Sequence, residues 1–403
     1  MESGSINYVL KYFTRRIQFM LQLSMFNFFY YWAIAVVNAF IPLYLRYKGM
    51  GPGEIGIVLA VGPLVAIFSQ PLWGVISDRR QNVKKIVLML LVVTLFTSAA
   101  LFYSSSLLLV IVAMMVFNFF MSPVQPLVDS MASAYAQDKG VSYGSIRFWG
   151  SIGFAFASFF IGYMIGKIGL QYLWFVYSTI IVISFIIASK LTNSQTKRAP
   201  ITITAMKKTF QNPRYVGFLV AVLFIAIPTR MNDGMLGIYM KHLGATEGHV
   251  GMAWMVSSIS EAPVIALLYL VMRRVPLLVL IGISGGFYTI RWLLYASFND
   301  PTMLIISQAM HSVTFAILMV ASVQYVATVV PREMLATGQT IYFATYSGLG
   351  AIIGNSVGGY LMEVYSASFV YQAGAVFAFI GMLICFAMQI KYKNQPLQEQ
   401  SVA

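Results

Sequence analysis

Apolar runs of about twenty residues or more, long enough to cross ~30 Å of hydrocarbon, recur along this chain from residue 17 to residue 391. A soluble core has no room for so many uninterrupted runs. The mean hydropathy of +0.78, with only 9% charged residues, is also far from the soluble norm, where about a quarter are charged. The chain reads as an integral membrane protein. Strands of a membrane barrel would be about ten residues long with alternating polarity. These runs are longer and continuously apolar, so the expected fold is all-α, with twelve transmembrane helices. They fall at 17–45, 54–76, 86–104, 107–136, 144–167, 170–190, 214–242, 248–272, 276–298, 302–330, 335–364 and 367–391.

The 26 Lys and Arg residues set the orientation. Nineteen fall on the side of the amino terminus: Lys11, Arg15 and Arg16, the Arg79–Lys85 group, Lys139, the basic loop from Lys190 to Arg214, Arg273, Arg274, Arg332, Lys391 and Lys393. Four, Arg46, Lys48, Lys167 and Lys241, fall on the other. Positive-inside bias then puts both termini in the cytoplasm of a multi-pass protein of the cytoplasmic membrane. The net charge of +14 lies in these loops and not on one amphipathic face, which argues against a nucleic-acid partner. The basic residues before the first run resemble the start of a signal peptide, but that run is too long and lacks a small-residue cleavage site, so it reads as a retained helix. Cys385 stands alone, which rules out an intramolecular disulfide or a thiolate metal cluster, and it reads as a packing residue.

The texture changes once. Residues 191–213 hold Thr, Asn, Ser, Gln and two prolines among the cations, too polar to span, and divide the chain into halves at 1–190 and 214–403. A weak internal echo links Tyr143–Gly150, opening the fifth span, with Thr337–Ala344, opening the eleventh. Two six-helix bundles joined by a basic loop is a pattern shared by transporters. Gly350, Gly354 and Gly358 share one helix face, as do Gly162 and Gly166. Such faces serve static packing within a half or a rocking surface between halves. Pro63, Pro71, Pro123, Pro126, Pro228 and Pro263 fall inside spans and predict kinks.

Three consecutive spans carry one ionisable group each: Glu261, Arg291 and His311. A charge at the bilayer centre costs roughly 2.5–3.5 kcal/mol on insertion scales, so each should face a partner or a wet cavity. Together they point to a polar chamber, although a buried pair that only fixes helix register is the plainer alternative. Arg230 and Asp233, three residues apart, read first as an intrahelical ion pair. Asp129 and Arg147 lie eighteen residues apart across one hairpin, close enough for an antiparallel helix pair to join them.

After the second span comes Gly74-Val-Ile-Ser-Asp78-Arg79-Arg80-Gln-Asn-Val-Lys84-Lys85, with a carboxylate beside a short basic turn. It resembles the loop signature of the major facilitator superfamily, although Gln81 stands near the place of the second glycine and the basic pair is displaced. The resemblance implies a cytoplasmic gate at Gly74, Asp78 and Arg79. More specific is the series Ser122-Pro-Val-Gln-Pro-Leu-Val-Asp129, Tyr143-Gly-Ser-Ile-Arg147-Phe-Trp-Gly, Glu261, Arg291-Trp292, Gln308-Ala-Met-His311-Ser-Val-Thr314-Phe315 and Gln339-Thr-Ile-Tyr342. In that order it resembles the phenylpropionate permease group of the superfamily and, more distantly, lactose permease. The resemblance implies substrate contact at Asp129 and Arg147, a link between substrate and proton sites at Glu261, and proton coupling at Arg291 and His311. One departure is that Thr314 stands where lactose permease has a proton-carrying glutamate. Glu261 is then the expected carrier, because desolvation disfavours a charged carboxylate, and His311 the second candidate.

The expectation is a secondary transporter working by alternating access as a functional monomer in the lipid bilayer, with substrate between Asp129, Arg147, Asn118 and Arg291. Protons enter through Glu261 and His311, and the proton gradient drives transport without a cofactor. An aromatic or small organic acid, a sugar or a nucleoside would each suit these side chains. A proton-coupled efflux antiporter and a non-transporting membrane sensor are rival classes. No phosphate-binding loop of the Gly-x-x-x-x-Gly-Lys-Ser/Thr type is present. No metal-ligand spacing or nucleophile–base arrangement is visible either, so an enzyme is not expected.

Overall fold

The computed structural model describes residues 2–191 and 209–393, with side chains from residue 19. Most of the 191–213 linker therefore lies outside the described residues. Twelve long helices are described, which we number α1 to α12. They are α1 Phe19–Tyr47, α2 Pro52–Arg80, α3 Val83–Tyr103, α4 Leu107–Lys139, α5 Tyr143–Ile168 and α6 Leu170–Ser189. Then come α7 Pro213–His242, α8 Glu247–Met272, α9 Leu277–Ser297, α10 Pro301–Val329, α11 at 335–364 and α12 Ala367–Tyr392. Eleven are long and apolar enough to cross a membrane. The other, α11, is as long but carries Thr337, Gln339, Thr345, Ser347 and Asn355, polar side chains that suit a helix facing the inside of a bundle. The backbone of α1 continues as helix back to Glu2, beyond the span expected from the sequence.

Polar side chains set several helix starts. Asn82, Ser106, Asn212, Thr246, Asp300 and Ser366 each accept a backbone N–H from the first turn that follows. Thr246 and His249 form a reciprocal cap that closes the first turn of α8.

Four helices lose regular geometry at mid-length. α1 is π-helical over Val36–Phe40, α10 over Ser312–Ala316 and α11 over Ala344–Leu349, and α4 breaks at Ser122-Pro123. Irregular backbone at membrane depth survives only where protein or a wet cavity satisfies it, so these breaks point to the interior that the four helices share.

Within the first half α1 packs on α5 and α6, and α3 on α4 and α6. Within the second, α12 packs on α7 and α9, and α7 on α11. The halves meet through two helix pairs, α2 with α11 and α5 with α8. Glycines make both contacts. A Cβ on Gly56 would stand 3.0 Å from Gly359 Cα, and one on Gly162 3.0 Å from Gly251 Cα. The two glycine faces noted in the sequence therefore differ in role. Gly354 and Gly358 press on Ile227 and Met231 of α7 inside one half, whereas Gly162 and Gly166 face α8 of the other.

Both close contacts lie at the end of the bundle away from the chain termini. There Glu363 of α11 also accepts the backbone N–H of Gly53, in the first turn of α2, at 2.6 Å. Toward the terminal end α2 from Phe68 and α8 from Ile259 are instead largely exposed. The bundle is closed at one face and parted at the other.

Candidate functional site

The three ionisable groups of α8, α9 and α10 come together. Arg291 is 1% exposed and spends its donors on neighbours: Nε and Nη2 on Tyr295 Oη at 3.1 and 3.0 Å, Nη2 on Gln308 Oε1 at 2.6 Å, and Nη1 on Thr314 Oγ1 at 3.3 Å. Its Nη1 also lies 3.1 Å from His311 Nδ1, and His311 Nε2 lies 3.2 Å from Glu261 Oε1. A guanidinium only donates, so His311 Nδ1 must accept and the ring proton sits on Nε2, directed at the Glu261 carboxylate. Phe315 fixes the ring by stacking on it at 4.9 Å and 4°.

The irregular stretch of α10 makes this cluster possible. Gln308–Met310 is a 3₁₀ turn that runs into the π segment, and Gln308, His311 and Thr314 all reach Arg291 from it. Ser284 of α9 ties the segment down by donating to Thr314 O at 2.7 Å. Thr314, at the position of the missing glutamate, thus serves as an acceptor for Arg291.

The polar groups of the first half are more open. Arg147 Nε lies 4.0 Å from Asp129 Oδ1, with the side chains 33% and 28% exposed, and the guanidinium stacks 4.4 Å over the Tyr31 ring. Gln125 Nε2 donates to Asp129 Oδ1 at 2.9 Å and to Asn27 Oδ1 at 3.0 Å, and Tyr143 hydrogen-bonds the same carboxylate. Asn118 donates to Met114 O at 3.0 Å and lies against Gly62 of α2. It lines a cavity of about 160 Å³ between α1 and the break in α4, together with Tyr30, Asn38, Ser122 and Gln125.

One pair was undervalued in the sequence. Arg230 and Asp233 do form the expected i,i+3 contact, at 2.9 Å. Arg230 Nη2 also donates to Ser347 Oγ at 3.3 Å, and its guanidinium lies 4.7 Å from the Tyr346 ring, both in the π segment of α11. Residues 230, 233, 234 and 237 share one side of α7, and Gly234 and Gly237 there meet Leu59 of α2 and Leu43 of α1. The pair therefore faces the first half, in the cleft below the closed end. Each half presents an arginine over a tyrosine ring beside an aspartate. The i,i+3 spacing concealed this, because the α11 partners are more than a hundred residues away.

Sequence reasoning placed Arg291 against substrate as well. In this conformation its guanidinium is enclosed, so it belongs to the His311–Glu261 cluster and not to the cleft surface. Gly74 is buried in α2, while Asp78 and Arg79 stand exposed at its end, at the parted face, with no ion pair among the described residues. A link between halves through this motif is unmade here.

Residues 20–373 match the MFS_1 like family. The chain is 25% identical over 367 residues to the maltose permease of Geobacillus stearothermophilus, covering 90% of this chain and 93% of that one. It is 24% identical over 388 residues to a probable 3-phenylpropionic acid transporter of Escherichia coli, covering 93% and 97%. Among solved structures, the nucleoside transporter NupG superposes with a TM-score of 0.80 at 17% identity, covering 94% of this chain and all of that one.

Proposed function

Because this chain belongs to the MFS_1 like family, whose permeases are multi-pass membrane transporters and not enzymes, we propose that it is a proton symporter for a neutral, hydroxyl-rich solute such as a sugar or nucleoside. The observation that carries the proton half is the continuous line of close polar contacts from Glu261 through His311 to Arg291. Protonating His311 would turn an N–H at Nδ1 against the guanidinium, so Glu261, 21% exposed at the open end of the line, takes the proton. A neutral Glu261 loosens its hold on His311 Nε2–H and thereby releases α8 from α10. Transport by alternating access then follows as the halves rock about the glycine contacts.

Charge balance supports the substrate half. With Arg291 enclosed, the arginines and aspartates of the cleft balance among the described residues, Arg147 with Asp129 and Arg230 with Asp233, leaving no excess cation there to bind an anion. Paired carboxylates and guanidiniums can accept from and donate to the hydroxyls of a ring held between the halves. The maltose permease and NupG support this class. The looser Asp129–Arg147 contact favours a second reading, an aromatic carboxylate that takes the place of Asp129 on Arg147 and stacks near Tyr31, and the phenylpropionate relative supports that one. Positive-inside bias makes the terminal face cytoplasmic, so this conformation is inward-facing.

The test is uptake and counterflow in vesicles with maltose, uridine and 3-phenylpropionate, with and without a pH gradient. Glu261→Gln should abolish gradient-driven accumulation while keeping counterflow. Accumulation that is indifferent to the gradient, or unchanged in Glu261→Gln, would remove the symport mechanism. Counterflow by 3-phenylpropionate alone would replace the neutral solute with the acid.

A further inference from the structure

Outside the cleft, α5 and α6 both lie on α1 but approach each other only around the turn at 168–172. Between them is a groove of about 310 Å³. Phe29 and Trp32 of α1 form its floor, Phe160 and Met164 one wall, and Val176 and Thr179 the other. Thr179 donates its hydroxyl to Phe175 O at 2.9 Å, so apart from the unpartnered indole N–H of Trp32 the groove lining is apolar. Phe160 and Phe175 are among the exposed large side chains, which places the mouth on the hydrocarbon side of the bundle.

The far end of the groove carries a charge. Lys167 lies one helical turn beyond Met164 and two beyond Phe160, on the same side of α5, at the end of the span. Its ammonium sits 4.4 Å from the Tyr163 ring centroid, and no carboxylate among the described residues pairs with it. Glu247, a carboxylate at the same end, is held by Lys241 at 2.8 Å where Gly162 and Gly166 meet α8. Tyr172 stands exposed at the same level on α6, one turn before Val176. A tyrosine belt with a lysine at the headgroup level, above an apolar slot, matches a phospholipid in both charge and polarity.

We propose that this groove seats one acyl chain of an anionic phospholipid whose phosphate rests on Lys167. The lipid wedges α5 away from α6 and so bears on the helix that carries Arg147 on one side and the Gly162 contact on the other.

The full chain, purified in detergent, is titrated with phosphatidylglycerol or phosphatidylcholine, and retained lipid is counted by native mass spectrometry. One lysine at a membrane surface corresponds to about a fivefold preference for the anionic lipid. That preference should vanish in Lys167→Gln with retention of phosphatidylcholine unchanged. Thr179→Trp, which fills the slot, should lower retention of both lipids. Lys167 is exposed at a helix end, so its variant carries the test even if Thr179→Trp does not fold. Equal retention of the two lipids by the unaltered protein, a preference that survives Lys167→Gln, or undiminished retention in a folded Thr179→Trp would each overturn the proposal.

Discussion

The double substitution Gly56→Val with Gly251→Val should drive the bundle out of the conformation seen here. A Cβ at Gly56 would meet the backbone of Asn355 and Gly359, and one at Gly251 would meet Ser158 C at 3.0 Å and Gly162 Cα at 3.2 Å. These neighbours are backbone atoms, so no rotamer change can make room and the helices must separate. Forcing side chains into such contacts costs about 1–3 kcal/mol each, hence about 2–6 kcal/mol for the pair. The closed far face alone bears that cost, which shifts a two-state equilibrium by about 30-fold to more than 10⁴-fold toward its opening. Spin labels at Gln171 and Tyr365 report the far face, and labels at Arg80 and Arg332 the terminal face, by pulsed electron paramagnetic resonance. The first distance should lengthen and the second shorten. Gly166→Val is the control, since its Cβ would meet nothing closer than 3.8 Å and should leave both distances unchanged. Unaltered distances in a folded double variant would refute the view that glycine contacts hold the far face shut.

Other expectations follow from single contacts. Glu363→Gln weakens the charge-assisted bond to Gly53 N–H by about 1 kcal/mol, so the same far-face distance should show about fivefold more of the open population. Tyr295→Phe leaves two guanidinium N–H groups of Arg291 without their acceptor in a buried site, and thermal melts in detergent should record a loss of about 1–3 kcal/mol. Asp233→Asn should cut counterflow of a neutral solute at least as strongly as Asp129→Asn; counterflow untouched by Asp233→Asn would confine Arg230 and Asp233 to an intrahelical pair. Reporter fusions after Lys393 should be active only on the cytoplasmic side, and an external carboxyl end would reverse the assignment of the parted face.

The architecture was legible because its signals are local. Each span announces itself by length and apolarity, and most boundaries fell within a few residues of the observed ones. α11 shows that this was more than a hydropathy reading. By composition it is the least obvious span, yet its length and place in the second half were enough to call it. Gathering the cluster was also within reach of sequence: one ionisable group in each of three successive apolar helices leaves each in need of a partner, and Glu261, His311 and Arg291 supply one another. What sequence could not supply was the state of each group. Enclosure of Arg291 depends on Tyr295 one turn on in α9 and on Gln308 and Thr314 of α10, brought together by a 3₁₀ turn and a π segment that no residue pattern announces, because such geometry arises from packing and not from propensity.

The glycines carry this furthest. In sequence, Gly354 with Gly358 and Gly162 with Gly166 are the same motif, small residues four apart on one helix face. The structure gives one pair to packing within a half and the other to the seam between halves. The seam partners, Gly56, Gly251 and Gly359, have no second glycine four residues away, and a backbone from the other half lies against each of them. Close approach of this kind loses few polar contacts when the halves part: among the described residues, the Glu363 bond at the rim and a long one from Asn355 Nδ2 to Leu59 O at 3.4 Å. A seam of dispersion contacts with two polar clasps can open at modest cost, whereas the Arg291 cluster, with five polar contacts in a dry site, cannot. Under the proposed symport mechanism the labour would divide along those energies: motion at the glycine seams, and the coupled proton acting where the rigid cluster first meets water, at Glu261.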